Sequence, residues 1–128
     1  MERFNERKED FYNAFDRLKE AIKVEVSEIT IDATLHRFEF TFELAWKTVK
    51  DYLDFLGYSY KNGSPREVIQ NGYKQGIISD GEKWIEMMLS RNLLAHIYDE
   101  ETSRSVYDKI INEYIDLFQK LKEKLEKI

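Results

Sequence analysis

Apolar residues recur along this chain at spacings of three and four almost without a break, the period of helices that each bury one face. Phe4, Phe11, Phe15, Leu18 and Ile22 make one such stripe and predict a first helix over about 2–24. The clearest run is Ile31, Leu35, Phe38, Phe42, Ala45, Val49, Tyr52 and Leu56. Its alternation of four and three is the seam of a helix packed lengthwise on partners, and it predicts a second helix over about 30–56. Gly57 closes that helix as a C-cap would. "NGSPREVIQ" then reads as a fresh start: Ser64 is the N-cap, Pro65 suits the first helical position, and Glu67 completes a capping box. The helix it opens is short, because "NGYKQGIISDG" carries three glycines. Asp80 can cap the next helix, over about 81–98, and Tyr107, Ile110, Tyr114, Leu117 and Leu121 mark a last one over about 102–127. No strand-like alternation competes.

Short connections between long helices imply antiparallel neighbours. The expected fold is therefore all-α, an antiparallel up-and-down four-helix bundle with one short extra helix between the second and third long ones, and residues 1–128 form a single domain. A second stripe on the last helix, Ile111, Ile115, Phe118 and Leu125, lies beside the first. With eight Phe, eight Tyr and two Trp, the chain holds more apolar surface than a lone bundle of this size hides. A homodimer with a helical interface is the expected outcome.

Composition narrows the chemistry. The chain has no cysteine, which excludes disulfides, thiolate metal sites and Cys nucleophiles. No apolar run reaches the roughly 20 residues of a membrane span, and "MERFNERKED" is too charged for a signal peptide, so a cytoplasmic location is expected and no membrane partner. A net charge of −5 argues against nonspecific duplex binding, yet leaves room for a local cationic pocket that holds one or two phosphates.

One stretch breaks the apolar pattern. In "RNLLAHIYDE", residues 91–100, a cation, an amide and an imidazole interrupt a helix that is apolar nearly all round. At about 100° per residue, Asn92 lies near 100° and His96 near 140° from Arg91, in the arc that also carries Trp84, Ile85, Met88, Leu89 and Ala95. The polar trio is thus expected within an apolar sector. A guanidinium there needs a carboxylate, a carbonyl or a ligand. Either Arg91 pairs with a buried Glu and His96 bonds a backbone carbonyl, or the two line a cleft in which Arg91 holds an anionic oxygen and His96 moves a proton.

Other features point to structure. His36, Glu39 and Glu43 share a stripe, but a di-iron bundle uses Glu-x-x-His on two helices and this chain has none; Glu43 is expected to pair with Lys47. No metal and no cofactor is expected. Trp46 and Trp84 read as core or interface residues, and no glycine-rich phosphate loop follows a strand.

Arg91-Asn92-x-x-x-His96-x-Tyr98 resembles the signature of HEPN domains, small helical bundles in which an Arg and a His form a metal-independent ribonuclease site. "FEFTFELAWKTVKDYL" and "GSPREVIQNGYKQGII" resemble one branch of them, the nucleotidyltransferase substrate-binding proteins, and the likeness spans essentially the whole chain. By that resemblance His96 would be the general base on a ribose 2′-hydroxyl, Arg91 would stabilise charge on the phosphoryl oxygens, and Asn92 would orient His96 or the phosphate. Two copies of the motif would face each other across a dimer axis. The partner would be a small nucleotidyltransferase acting as antitoxin, with Tyr98 resembling the acceptor of its adenylyl groups. The alternative is a non-catalytic subunit that presents substrate to that nucleotidyltransferase.

Overall fold

The structure, a computed structural model, describes residues 1–96 and 99–128. Among these residues the fold is all helical: α1 Glu2–Ala21, α2 Glu28–Phe55, α3 Pro65–Lys74, α4 Gly81–His96, α5 Glu100–Lys109, a π-helical turn Ile110–Tyr114, and α6 Ile115–Glu126. The three last segments run on without a gap, so the single helix expected over 102–127 is present but carries a wider turn. There the Ile115 amide donates to the Ile110 carbonyl five residues back.

The caps explain most of the boundaries. α2 begins two residues earlier than its apolar stripe suggests, because Ser27 and Thr30 form a reciprocal capping box. Gly57 ends α2 with φ +89, a conformation that a side chain would disfavour. At α3 the Ser64 hydroxyl accepts from the Glu67 amide at 3.3 Å as expected, but Glu67 does not return a bond to Ser64. Its carboxylate instead gathers the amides of Lys61, Asn62 and Gly63 at 2.8–3.0 Å, and these bonds hold it below the usual carboxylate pKa. Asp80 caps α4 through the Lys83 amide at 3.1 Å.

α1 and α2 are antiparallel: Phe4 meets Tyr52 near one end, with ring centroids 5.7 Å apart, while Arg37 donates to the Arg17 carbonyl at 2.6 Å near the other. α6 also runs against α1, pairing Phe118 with Phe15 and Lys122 with Tyr12. The centre is aromatic. The Phe118 ring sits about 6 Å from Phe11, Phe15, Phe38 and Trp84, and Phe38 stacks on Tyr114 at 5.6 Å. α3 lies across α2 and α4. Its Gly72 is buried so tightly that a Cβ would stand 3.0 Å from both Val49 and Ile78. The expected second stripe of the last helix is largely used within the chain: Phe118 and Leu125 are buried and Ile115 is partly so, leaving Ile111 exposed.

Candidate functional site

α4 is apolar on nearly every side, but only one side meets the core. Trp84, Met87, Met88 and Leu94 are buried there, together with Ser90. Asn92 and His96 are exposed, beside the exposed Leu89 and Leu93 and the half-buried Ile85. This corrects the expectation that the polar trio sits among buried apolar neighbours. The arc near 100–160° that holds Ile85, Leu89, Asn92 and His96 faces outward, and of the three only Arg91 lies on the core side, between Trp84 and Met87 around the axis and near the end of the helix. Periodicity cannot tell which apolar side of such a helix will find partners.

Arg91 reaches α2. Its Nη2 lies 3.1 Å from Glu43 Oε1 in an ion pair, and the other carboxylate oxygen, Oε2, lies 3.4 Å from Lys47 Nζ. The Glu43–Lys47 pair was expected; the link to Arg91 was not, because nothing in the sequence says that α2 and α4 are neighbours at this level. Arg91 and Glu43 are about 30% and 29% exposed, so the pair is reachable from solvent and not sealed. Arg91 Nε is buried with no hydrogen-bond partner, so the guanidinium hangs on its outer nitrogens. The expected backbone bond to His96 is absent among the described residues, where the imidazole takes part in no hydrogen bond or ion pair. Both earlier possibilities thus hold in part: an acid does neutralise Arg91, yet neither group is closed off.

The elements around the site are fixed from the inside. Ser90, next to Arg91, shares a buried 2.8 Å hydrogen bond with the Tyr114 hydroxyl in the π-helical turn. Burial pushes the Tyr114 hydroxyl up to about 12 from its ordinary value of 10.0. Lys83 bonds Glu113, and Glu86 lies 3.5 Å from Lys83 and 3.6 Å from Lys109, tying α4 to the last helix a second time. Asp99 caps α5 by accepting from the Thr102 amide at 2.7 Å, which keeps its carboxyl below the usual range. Tyr98 and Ile97 lie outside the described residues. No group of His, Asp and Glu side chains suited to a metal ion occurs among the described residues.

Chemically, the arrangement offers a solvent-reachable guanidinium and an accessible imidazole on one helix, about 7.5 Å apart along the axis and 140° apart around it. One copy of the helix therefore presents them to different directions. The fold is that of a small helical-bundle domain, and the comparisons with known proteins name the family. Residues 6–127 match the family of nucleotidyltransferase substrate binding protein-like domains, and this chain belongs to it. A Haemophilus influenzae protein named probable ribonuclease HepT is 29% identical over 93 residues, covering 66% of this chain and 60% of that protein. The chain thus spans about 60% of the length of the curated relative it matches. A solved protein from Thermus thermophilus is similar at TM-score 0.80 and 29% identity, over 90% of this chain and 98% of that one. A Haemophilus influenzae protein, described as revealing the fold of a substrate binding domain of a nucleotidyltransferase, is similar at TM-score 0.74 and 22% identity, over 93% and 98% of the two chains. No helix among the described residues is long and apolar enough to cross a membrane.

Proposed function

We propose that this chain is the partner subunit of a small nucleotidyltransferase and that it cleaves RNA without a metal ion, as the toxin of a toxin–antitoxin pair. The observation that carries this reading is the accessibility of Arg91 and His96 on one helix, each within reach of a ligand. The name of the Haemophilus influenzae relative, probable ribonuclease, supports it. His96 takes the proton of a ribose 2′-hydroxyl, the oxygen attacks the adjacent phosphorus, and the bond to the 5′-oxygen breaks. The products are a cyclic phosphate and a free 5′-hydroxyl, which gains its proton from a protonated imidazole or from water. Arg91 offsets charge on the phosphoryl oxygens, and Asn92 orients the imidazole or the phosphate. His96 lies beside the exposed Leu89 and Leu93, an apolar face that a second copy of the chain would cover, with the shared phosphate held between the two copies. In adenylylation by the nucleotidyltransferase the Tyr98 phenol oxygen would displace diphosphate from ATP, and the added bulk and negative charge, seven residues along the chain from Arg91, would shut the site.

A second reading is favoured by the Glu43–Arg91 pair, since a guanidinium already matched by a carboxylate is a poorer phosphate clamp. In that reading the chain is a non-catalytic subunit presenting substrate to its partner. The purified chain incubated with RNA in excess chelator separates the two. Cleavage that vanishes in both Arg91→Ala and His96→Ala is the expected result. Intact RNA alongside normal partner binding establishes the subunit role instead, and mass spectrometry with partner and ATP reads the adenylyl mass on Tyr98.

A further inference from the structure

On α2, one turn before Glu43, Phe40 points its ring into solvent and is 60% exposed. An isolated exposed aromatic is ordinary. This one stands at the lip of a groove between α1 and α2, about 410 Å³ in volume, lined by Ala14, Arg17, Ala33, His36 and Arg37. The groove therefore joins an open ring face to two guanidinium groups and an imidazole, in a chain whose overall charge is −5. Arg37 is anchored, donating to the Arg17 carbonyl at 2.6 Å with Glu20 3.9 Å away, while the Arg17 side chain is exposed and makes no ion pair among the described residues. Small Ala14 and Ala33 keep the floor open. Phe40 and Glu43 are three residues apart and neighbours on the helix surface, so the ring flanks the carboxylate that holds Arg91.

We infer that this groove is a binding site for single-stranded RNA, in which a base stacks on Phe40 and the following phosphates lie along Arg17 and Arg37. The inference rests on the RNA reading above, and extends it from the scissile phosphate to the strand beside it. Stacking on a ring face suits an unpaired base and tolerates any of the four, whereas a duplex hides those faces. Arg37, fixed by its backbone bond, and Arg17, free to swing, supply the backbone contacts that a stacked base alone lacks. Phe40 lies on the opposite flank of Glu43 from α4, so a strand crossing α2 runs from the groove over the ring to Arg91.

The test uses the full chain and a fluorescein-labelled strand carrying 2′-O-methyl groups. No 2′-hydroxyl attack can cut such a strand, so anisotropy reads binding apart from turnover. Phe40→Ala should weaken binding about tenfold, and Phe40→Trp should retain it. Arg17→Glu should weaken binding and lower the salt slope by about one. A duplex of the same sequence should compete poorly. Unchanged affinity in Phe40→Ala with an unchanged melting curve overturns the inference, as does the absence of saturable binding by the unsubstituted chain. So does a Phe40→Ala variant that loses the nucleotidyltransferase subunit while keeping the strand. If the strand binds through Phe40 yet natural RNA stays whole, the groove stands and the nuclease reading falls. If RNA is cut while Phe40→Ala binds normally, the nuclease reading stands and the groove falls.

Discussion

Glu43 and Arg91 are withdrawn from water by about the same amount, which allows a figure to be put on their bond. Two unit charges 3.1 Å apart attract by about 1.3 kcal/mol at the dielectric constant of water and by about 5 kcal/mol at an effective constant of 20. Desolvation of both groups offsets part of that gain. Exposed pairs couple by about 0.2–1 kcal/mol, and breaking a fully buried pair costs about 3–5 kcal/mol. With side chains 30% and 29% exposed, this pair belongs between the two, at about 1–2 kcal/mol. The perturbation is Glu43→Gln, which keeps the shape and removes the charge, combined with Arg91→Ala in a double-mutant cycle. Urea denaturation at 25 °C reads the coupling, with equal slopes required across the four proteins. In 1 M salt the Debye length falls to about 3 Å, so the Lys47 arm should disappear while a partly shielded Arg91 arm keeps some of its strength. Coupling below about 0.3 kcal/mol would refute the argument, because Arg91 would then be unanchored.

Two further outcomes test the packing behind the site. Gly72→Ala places a methyl 3.0 Å from Val49 and Ile78, and crowding of about 1–3 kcal/mol should outweigh a helix-propensity gain of about 1 kcal/mol; a raised melting temperature would contradict the tight α2–α3 contact. Tyr114→Phe leaves the Ser90 hydroxyl without its buried partner and should cost about 1–2 kcal/mol in denaturant. Tyr114 titrates higher when folded than unfolded, so its contribution is complete below pH 10 and is lost as pH climbs from 10 towards 12. Melting temperature followed across that range should fall less steeply in Tyr114→Phe, with the residue of the slope carried by Tyr12, also raised to about 12 by burial, and by Tyr60, which burial raises further.

Much of the fold was legible because the signals that set it are local. Three- and four-residue spacing located every long helix, and Ser64, Pro65, Asp80 and Gly57 marked ends that the structure keeps. The misses have particular causes. Ser27 was overlooked as a cap because its reciprocal partner is Thr30 and not a glutamate. Glu67 reaches back past Ser64 because a glycine turn places three amides within its span. The π-helical turn at "IINEY" leaves no trace in hydrophobic spacing: Tyr107, Ile110, Tyr114 and Leu117 would line one stripe in a plain α-helix too.

The candidate residues stand out in the sequence, but the direction each one faces does not. Arg91, Asn92 and His96 stand out by chemistry alone, yet a helix apolar on every side gives no clue to which side is covered. That depends on α2 and the last helix, and on the Ser90–Tyr114 bond that fixes the rotation of α4. With that rotation Arg91 falls between the buried Trp84 and Met87, and its place near the end of α4 lets the guanidinium touch Glu43 and water together. A turn of 100° would put it where the exposed Asn92 or the buried Ser90 now stands. The same rotation sends His96 and Asn92 outward with Leu89 and Leu93, so stability fixes one half of the Arg–His pair and exposes the other. A face that is apolar, open and carries an imidazole is one that a second copy of the helix could cover.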